Sequence, residues 1–126
     1  MTGTVESVAD MDAMLYAYTQ ALGSAGSVTG EQAKIILRLG HQQLRVSNLE
    51  LHGIYVGTNV SYNLGRLVEL GLIEKMSIPS DRRVCEVKLT AAGLLRRDRI
   101  LAAHEAFVAD PARHRHFLSL FEKAEA

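Results

Sequence analysis

Two periodicities divide this chain. From Ser7, a potential N-cap with Asp10 three residues on, Met11, Met14, Leu15, Tyr18 and Leu22 recur at helical spacing. They predict a first helix with one long apolar face, ended by the glycine- and serine-rich GSAGS at 23–27. Thr29 and Gln32 form a capping-box pattern for a second helix, short and buried, in which Ala33, Ile36 and Leu37 recur up to Gly40. Ser47 with Glu50 repeats that pattern for a helix of about two turns before Gly53. A turn bracketed by Gly53 and Gly57 leads to a helix from about Thr58 to Leu70. Its stripe is Val60, Leu64, Leu67 and Val68, and its stop is Gly71.

The period then drops to 2. Residues 72–77 and 84–89 read as strands, the second alternating Val84, Glu86 and Lys88 with Cys85, Val87 and Leu89, and IPSDRR forms the tip between them. Thr90 caps a long helix to about Ala109, and Asp110-Pro111 starts a last helix carrying Phe117, Leu120 and Phe121. The order of elements predicts a mainly α fold with a small β-hairpin wing (α+β): a winged helix-turn-helix with additional helices at both ends.

Composition narrows the class without changing the fold. A chain of 126 residues, 48% hydrophobic and 22% charged, suits one domain over 1–126 with a modest core. Cys85 is the single cysteine, so no internal disulfide forms, and a reducing, cytoplasmic setting is expected. No apolar run has the length of a membrane span, and the N-terminus lacks a basic and apolar leader pattern. Fourteen basic and fourteen acidic residues cancel, yet residues 1–30 carry only acids while the bases concentrate between 31 and 100. A neutral total is thus compatible with a polyanionic partner.

The helix from Thr58 carries candidate chemistry opposite its core stripe. Thr58, Asn59, Tyr62, Arg66 and Glu69 share an arc of roughly 100°, and Ser61 and Asn63 add further short hydrogen-bonding groups. Such a face fits the major groove of duplex DNA, where Asn reads adenine, Arg reaches guanine or phosphate, and hydroxyls bond phosphate oxygens. The plain alternative is a polar surface helix without a partner. At the hairpin tip, Arg82 or Arg83 can enter a minor groove, with Asp81 orienting one of them through an ion pair. The alternative there is a solvated basic turn.

LVELGLIEK, SDRR and VKLTAAG together resemble the signature of MarR-type winged-helix transcription regulators, over about residues 28–100 and most specifically from Gly71 to Gly93. The resemblance implies a homodimer on a pseudo-palindromic operator, with recognition helices in major grooves and wings in minor grooves, acting most often as a repressor. It places Thr58, Asn59, Ser61, Tyr62, Asn63 and Arg66 on the recognition helix and Asp81, Arg82 and Arg83 on the wing. Residues of about 28–90 would form the DNA-binding core, with 1–27 and 91–126 as the dimerisation region. It also implies that a small aromatic or amphipathic effector, or an oxidant acting on cysteine, can regulate binding.

The terminal helices fit a dimer on their own pattern too. Leu94, Leu101 and Val108 repeat every seven residues while Leu95, Ile100 and Phe107 are apolar on other sides, more apolar surface than one core contact needs. With Met11, Met14, Leu15, Tyr18, Phe117, Leu120 and Phe121 they are the dimerisation candidates; an intramolecular core is the alternative.

Cys85 faces the same way as Val87 and Leu89, which favours a buried inert thiol over a sensor. His104, His114 and His116 make a poor metal pattern, and no metal or cofactor is expected. Tyr16 and Tyr18 suit a pocket wall or a helix interface equally. There is no nucleophile with a paired base, no spaced carboxylate pair and no phosphate-cradling glycine loop, so an enzyme is not expected. A winged-helix module that docks on proteins without specific DNA binding is the rival reading.

Overall fold

A computed structural model of the chain describes residues 2–51, 60–112, 115 and 119. Its elements in order are α1 (Thr2–Gly26), α2 (Gly30–Leu39), β1 (Leu44–Arg45), α3 (Val46–Leu51), α4 (Val60–Glu69), β2 (Ile73–Ile78), β3 (Asp81–Leu89) and α5 (Ala91–Ala109). The strands form an antiparallel sheet in the order β1-β3-β2. The turn expected between Gly53 and Gly57, and most of the last helix, lie outside the described residues.

The core draws a few side chains from every helix and from the sheet. Leu22 of α1, Ile35, Ile36 and Leu39 of α2, Leu49 of α3, Leu64 and Leu67 of α4, Val87 of β3 and Ile100 of α5 are buried together. Long α1 and α5 pack side by side, and α2 rests against both. Helix α2 also touches α4 and β3, and so links this helical frame to the small helices and the sheet.

Local signals explain most boundaries. Thr29 Oγ1 accepts from Gln32 N at 3.2 Å while Gln32 Oε1 accepts from Thr29 N at 3.1 Å, completing the expected capping box. At the C-terminal end of α4, Gly71 N donates to Val68 O and Leu72 N to Leu67 O, both at 2.9 Å, with Gly71 at φ +74°. That is a Schellman stop, which a left-handed glycine accommodates without strain. It turns Leu72 back into the core beside Leu67.

The first helix differs from expectation at both ends. It begins at Thr2, ahead of Ser7, and continues through GSAG to Gly26. The glycines expected to break it serve close packing instead. A Cβ at Gly23 would sit 2.7 Å from Gly30 N, and one at Gly26 would sit 2.7 Å from Ile100 Cδ1. The left-handed stop residue is Ser27, φ +54°, with Val28 N donating to Gly23 O at 3.1 Å. Arg96 Nη1 then donates to Gly26 O at 2.7 Å, a cation at the negative end of α1.

Two smaller differences concern the sheet. Asp81, Arg82 and Arg83 belong to β3, so the turn proper is Pro79-Ser80. A register shift between Ser77 and Ile78 leaves β3 with the surplus residues, a bulge that twists the wing end. Strand β1 leaves no trace in the sequence pattern because two residues are too few to display a period.

Candidate nucleic-acid interface

Helix α4 is seated by Val60, Asn63, Leu64 and Leu67, all buried. At 100° per residue, with Thr58 as zero, these occupy about 140–240°, and Val68 at about 280° is left exposed. The exposed side is therefore centred on Tyr62 and Glu69, with Arg66 beside them. Tyr62 is 60% exposed, which leaves its ring and hydroxyl free for contact. Arg66 Nη1 lies 2.6 Å from Glu69 Oε2, an exposed pair that costs little to exchange for a stronger acceptor.

One expected contact residue is corrected. Asn63 is 8% exposed and points inward, where its Oδ1 accepts from Gln32 Nε2 at 3.2 Å. It lies next to the stripe on the helical wheel, and an inward amide is tolerable because Gln32 satisfies it. Thr58 and Asn59 lie outside the described residues. Ser61 is exposed on the flank that faces the wing.

At the wing, Asp81 Oδ1 accepts from Arg83 N at 3.0 Å and from Arg83 Nε at 3.3 Å. The carboxylate holds the Arg83 guanidinium at Nε, while the side chain as a whole stays 93% exposed. The Arg82 backbone belongs to β3, and its side chain lies outside the described features.

Between the wing and α4 runs an open cleft of about 330 Å³. Its rim carries Arg45 from β1, Lys75 from β2 and Arg83 from β3, with Ser47 and Ser61 between them; Val46, Leu64, Val84 and Cys85 supply the less polar part. Arg45 and Lys75 form no ion pair among the described residues. Sequence reasoning missed both, since they line one cleft with Arg83 only in the folded chain. The concentration of bases between 31 and 100 was the available signal.

Cys85 is half-buried on this cleft, more accessible than its buried neighbours Val87 and Leu89, which corrects the expectation of full burial. No cluster of metal-ligating side chains occurs among the described residues; His114 and His116 lie outside them.

The helical frame holds the proposed dimer residues in differing settings. Tyr18 and Leu94 pack on this chain's own core, and Met11, Met14 and Leu101 are half-buried. Leu15, Tyr16, Leu95 and Val108 are exposed. Phe117, Leu120 and Phe121 lie outside the described residues. Tyr18 hydroxyl is 2.7 Å from His104 Nδ1 and its ring meets Phe107 edge-on at 5.3 Å. Burial raises its pKa above the ordinary tyrosine value.

The family model described as winged helix DNA-binding domain matches residues 28–93, and the chain belongs to that family. Its fold is that of the MarR-type regulators. A putative MarR-like transcription regulator from Bacillus cereus superposes with a TM-score of 0.76 at 16% identity, covering 99% of this chain and 97% of that one. A mutant MarR from E. coli complexed with operator DNA gives a TM-score of 0.65 at 19% identity, covering 92% and 91%. The exopolysaccharide II synthesis transcriptional activator ExpG of Rhizobium meliloti is 34% identical over 62 residues, 49% of this chain. That match spans 32% of the activator's length. Among the described residues no helix is long and apolar enough to cross a membrane.

Proposed function

We propose that the protein is a sequence-specific regulator of transcription that binds duplex DNA in the cytoplasm as a homodimer. Helix α4 enters the major groove, and the wing reaches an adjacent minor groove. The observation that carries the reading is the pairing of an exposed Tyr62–Arg66 face with a basic wing in a chain of no net charge. Basic side chains on a helical face and on a neighbouring wing are the electrostatic footprint of a nucleic-acid-binding surface.

Dimerisation is supported by the exposed apolar residues of the helical frame, Val8, Leu15 and Tyr16 on α1 and Leu95 and Val108 on α5. A second copy would cover them, and two-fold symmetry would place recognition helices on half-sites about 34–36 Å apart. Repression is the action that the family resemblance implies. Activation is the second reading, favoured by the relative that is a transcriptional activator.

Selection of fragments from the organism's own genome by the purified chain tests the reading, followed by transcription in vitro from the selected sites. A pseudo-palindromic motif is expected, with transcript levels falling for a repressor and rising for an activator. Recovery of fragments without a common motif would favour the protein-docking alternative.

A further inference from the structure

The ion pair on the exposed face of α4 runs against the rules that stabilise a helix. Glu69 is the last residue of α4, so its carboxylate stands at the negative C-terminal end, and its partner Arg66 precedes it, the less favourable order for an acid and a base one turn apart. Both side chains are well exposed, Arg66 45% and Glu69 66%, and an exposed pair adds little to stability. With Tyr62 the two residues span an arc of about 60° opposite the core stripe, so the acid sits amid the side chains most open to contact. A carboxylate there would repel a phosphate backbone. Stability does not account for it, and local rules are broken most often at functional sites.

We propose that Glu69 is a positioning residue for base recognition, which holds the Arg66 guanidinium so that it takes guanine and is kept from phosphate. The proposal rests on the DNA-binding function above and deepens it, because it assigns part of the specificity to an acid.

The chemistry of the guanidinium makes the selection. Arginine carries five N–H donors in a fixed fork. The contact of Arg66 Nη1 with Glu69 Oε2 at 2.6 Å uses one of them, and the donors that remain are enough for O6 and N7 of a guanine. Guanine is neutral, so Arg66 can take it with the carboxylate still in place. Phosphate is an anion. To bind it, Arg66 must either leave Glu69 or bring two negative groups together, which costs Coulomb energy. Glu69 thus weakens the hold of Arg66 on any backbone and leaves its hold on one base. The same contact narrows the conformations that the long arginine side chain samples before a base arrives, and so lowers the ordering cost of reading it.

The test compares wild type, Glu69→Gln, Arg66→Ala and the double variant as full chains, on a genome-selected duplex and its scrambled counterpart, with affinity read by fluorescence anisotropy over a salt series. Glu69→Gln keeps the shape of the side chain and removes its charge. It is expected to bind scrambled duplex more tightly than wild type and to steepen the slope of log affinity against log salt by about 1, as Arg66 gains a phosphate. Preference for the selected duplex should fall about tenfold, the scale of one guanine contact. Site selection with Glu69→Gln should relax the same half-site position that Arg66→Ala relaxes. With Arg66 already alanine, Glu69→Gln should raise both affinities equally and leave the preference unchanged.

Equal gains on both duplexes in the wild-type background would assign Glu69 to bulk charge alone, and a loss of preference that persists without Arg66 would make it a reader in its own right. Either result, or relaxation at a different half-site position, overturns the proposal while the DNA-binding reading stands. Failure of the wild type to bind duplex at low salt, or to prefer the selected one, removes that reading and this proposal with it. The urea midpoint of Glu69→Gln should stay near wild type, and should that variant not fold, Glu69→Ala carries the same expectation.

Discussion

Gln32 Nε2 donates to Asn63 Oδ1 across 3.2 Å in the buried seam between α2 and α4. Gln32 also closes the capping box of α2 through Thr29, so one side chain ties the start of α2 to the seating of α4. Replacing either amide by alanine leaves its partner buried and unmatched, at a cost of about 1–3 kcal/mol. The double change Gln32→Leu with Asn63→Leu should cost less than the sum of the two single leucine changes, because it removes the donor and the acceptor together. Urea unfolding of the four proteins measures this, and strictly additive losses would show that the pair is not coupled.

Contact with bases should separate from this seating. Tyr62→Ala and Arg66→Ala should alter base preference at individual half-site positions, costing about 1–3 kcal/mol each, and leave the unfolding midpoint near wild type. Arg83→Ala should instead weaken selected and scrambled duplexes alike. Selected-site sequencing with each variant distinguishes the two patterns; unchanged preference for both α4 variants would remove these residues from base reading.

A second junction joins Gly71 and Leu72 to Thr90 and Gly93. Thr90 N donates to Leu72 O at 3.0 Å, and Thr90 Oγ1 donates to Gly71 O at 2.6 Å and accepts from Gly93 N at 3.1 Å. A Cβ on Gly93 would collide with the Leu72 carbonyl oxygen, a backbone atom with no room to yield. Gly93→Ala should therefore destabilise by about 1–3 kcal/mol or more, as overpacking does. Gly71→Ala, which meets no atom within 4 Å, should cost only the left-handed backbone penalty of about 1–2 kcal/mol. Thermal unfolding that ranks Gly71→Ala as the worse of the two would contradict this account of the junction.

Much of this architecture was legible because local chemistry and tertiary packing agree. Thr29 with Gln32, Gly71 after a helical stripe, and Thr90 before a long helix each satisfy orphan backbone groups in a way that sequence spacing reveals. GSAGS misled because a glycine stretch signals both a break and a close approach, and only the neighbouring Gly30 and Ile100 decide between them. The α4 face was legible as a stripe and its complement, but Asn63 lay at the margin, where burial depends on a partner 31 positions away. Arg45 and Lys75 line one cleft with Arg83 only in the folded chain, a relation that no local pattern encodes.

Alkaline titration probes the helical frame. The folded-state pKa of Tyr18 is raised by burial above its unfolded value of about 10, so its contribution to stability is fully present below that pH. It is lost as pH rises through the folded pKa, because the unfolded chain ionises first. Tyr18→Phe should lose the 2.7 Å bond to His104 and show a shallower decline in stability than the wild type as pH rises above about 10. Urea midpoints across that range make the comparison, and parallel declines would assign the alkaline loss to other groups.

The central claim is that a neutral chain reads duplex DNA through α4 and the wing, and its most direct test is the affinity for a genome-selected duplex and its scrambled counterpart at about 50 and 200 mM salt. Counterion release from six to ten phosphate contacts predicts a fall of about 10³–10⁵ between those concentrations. The selected duplex should be preferred at both. Absence of duplex affinity at either concentration, or equal affinity for selected and scrambled DNA, would contradict the claim.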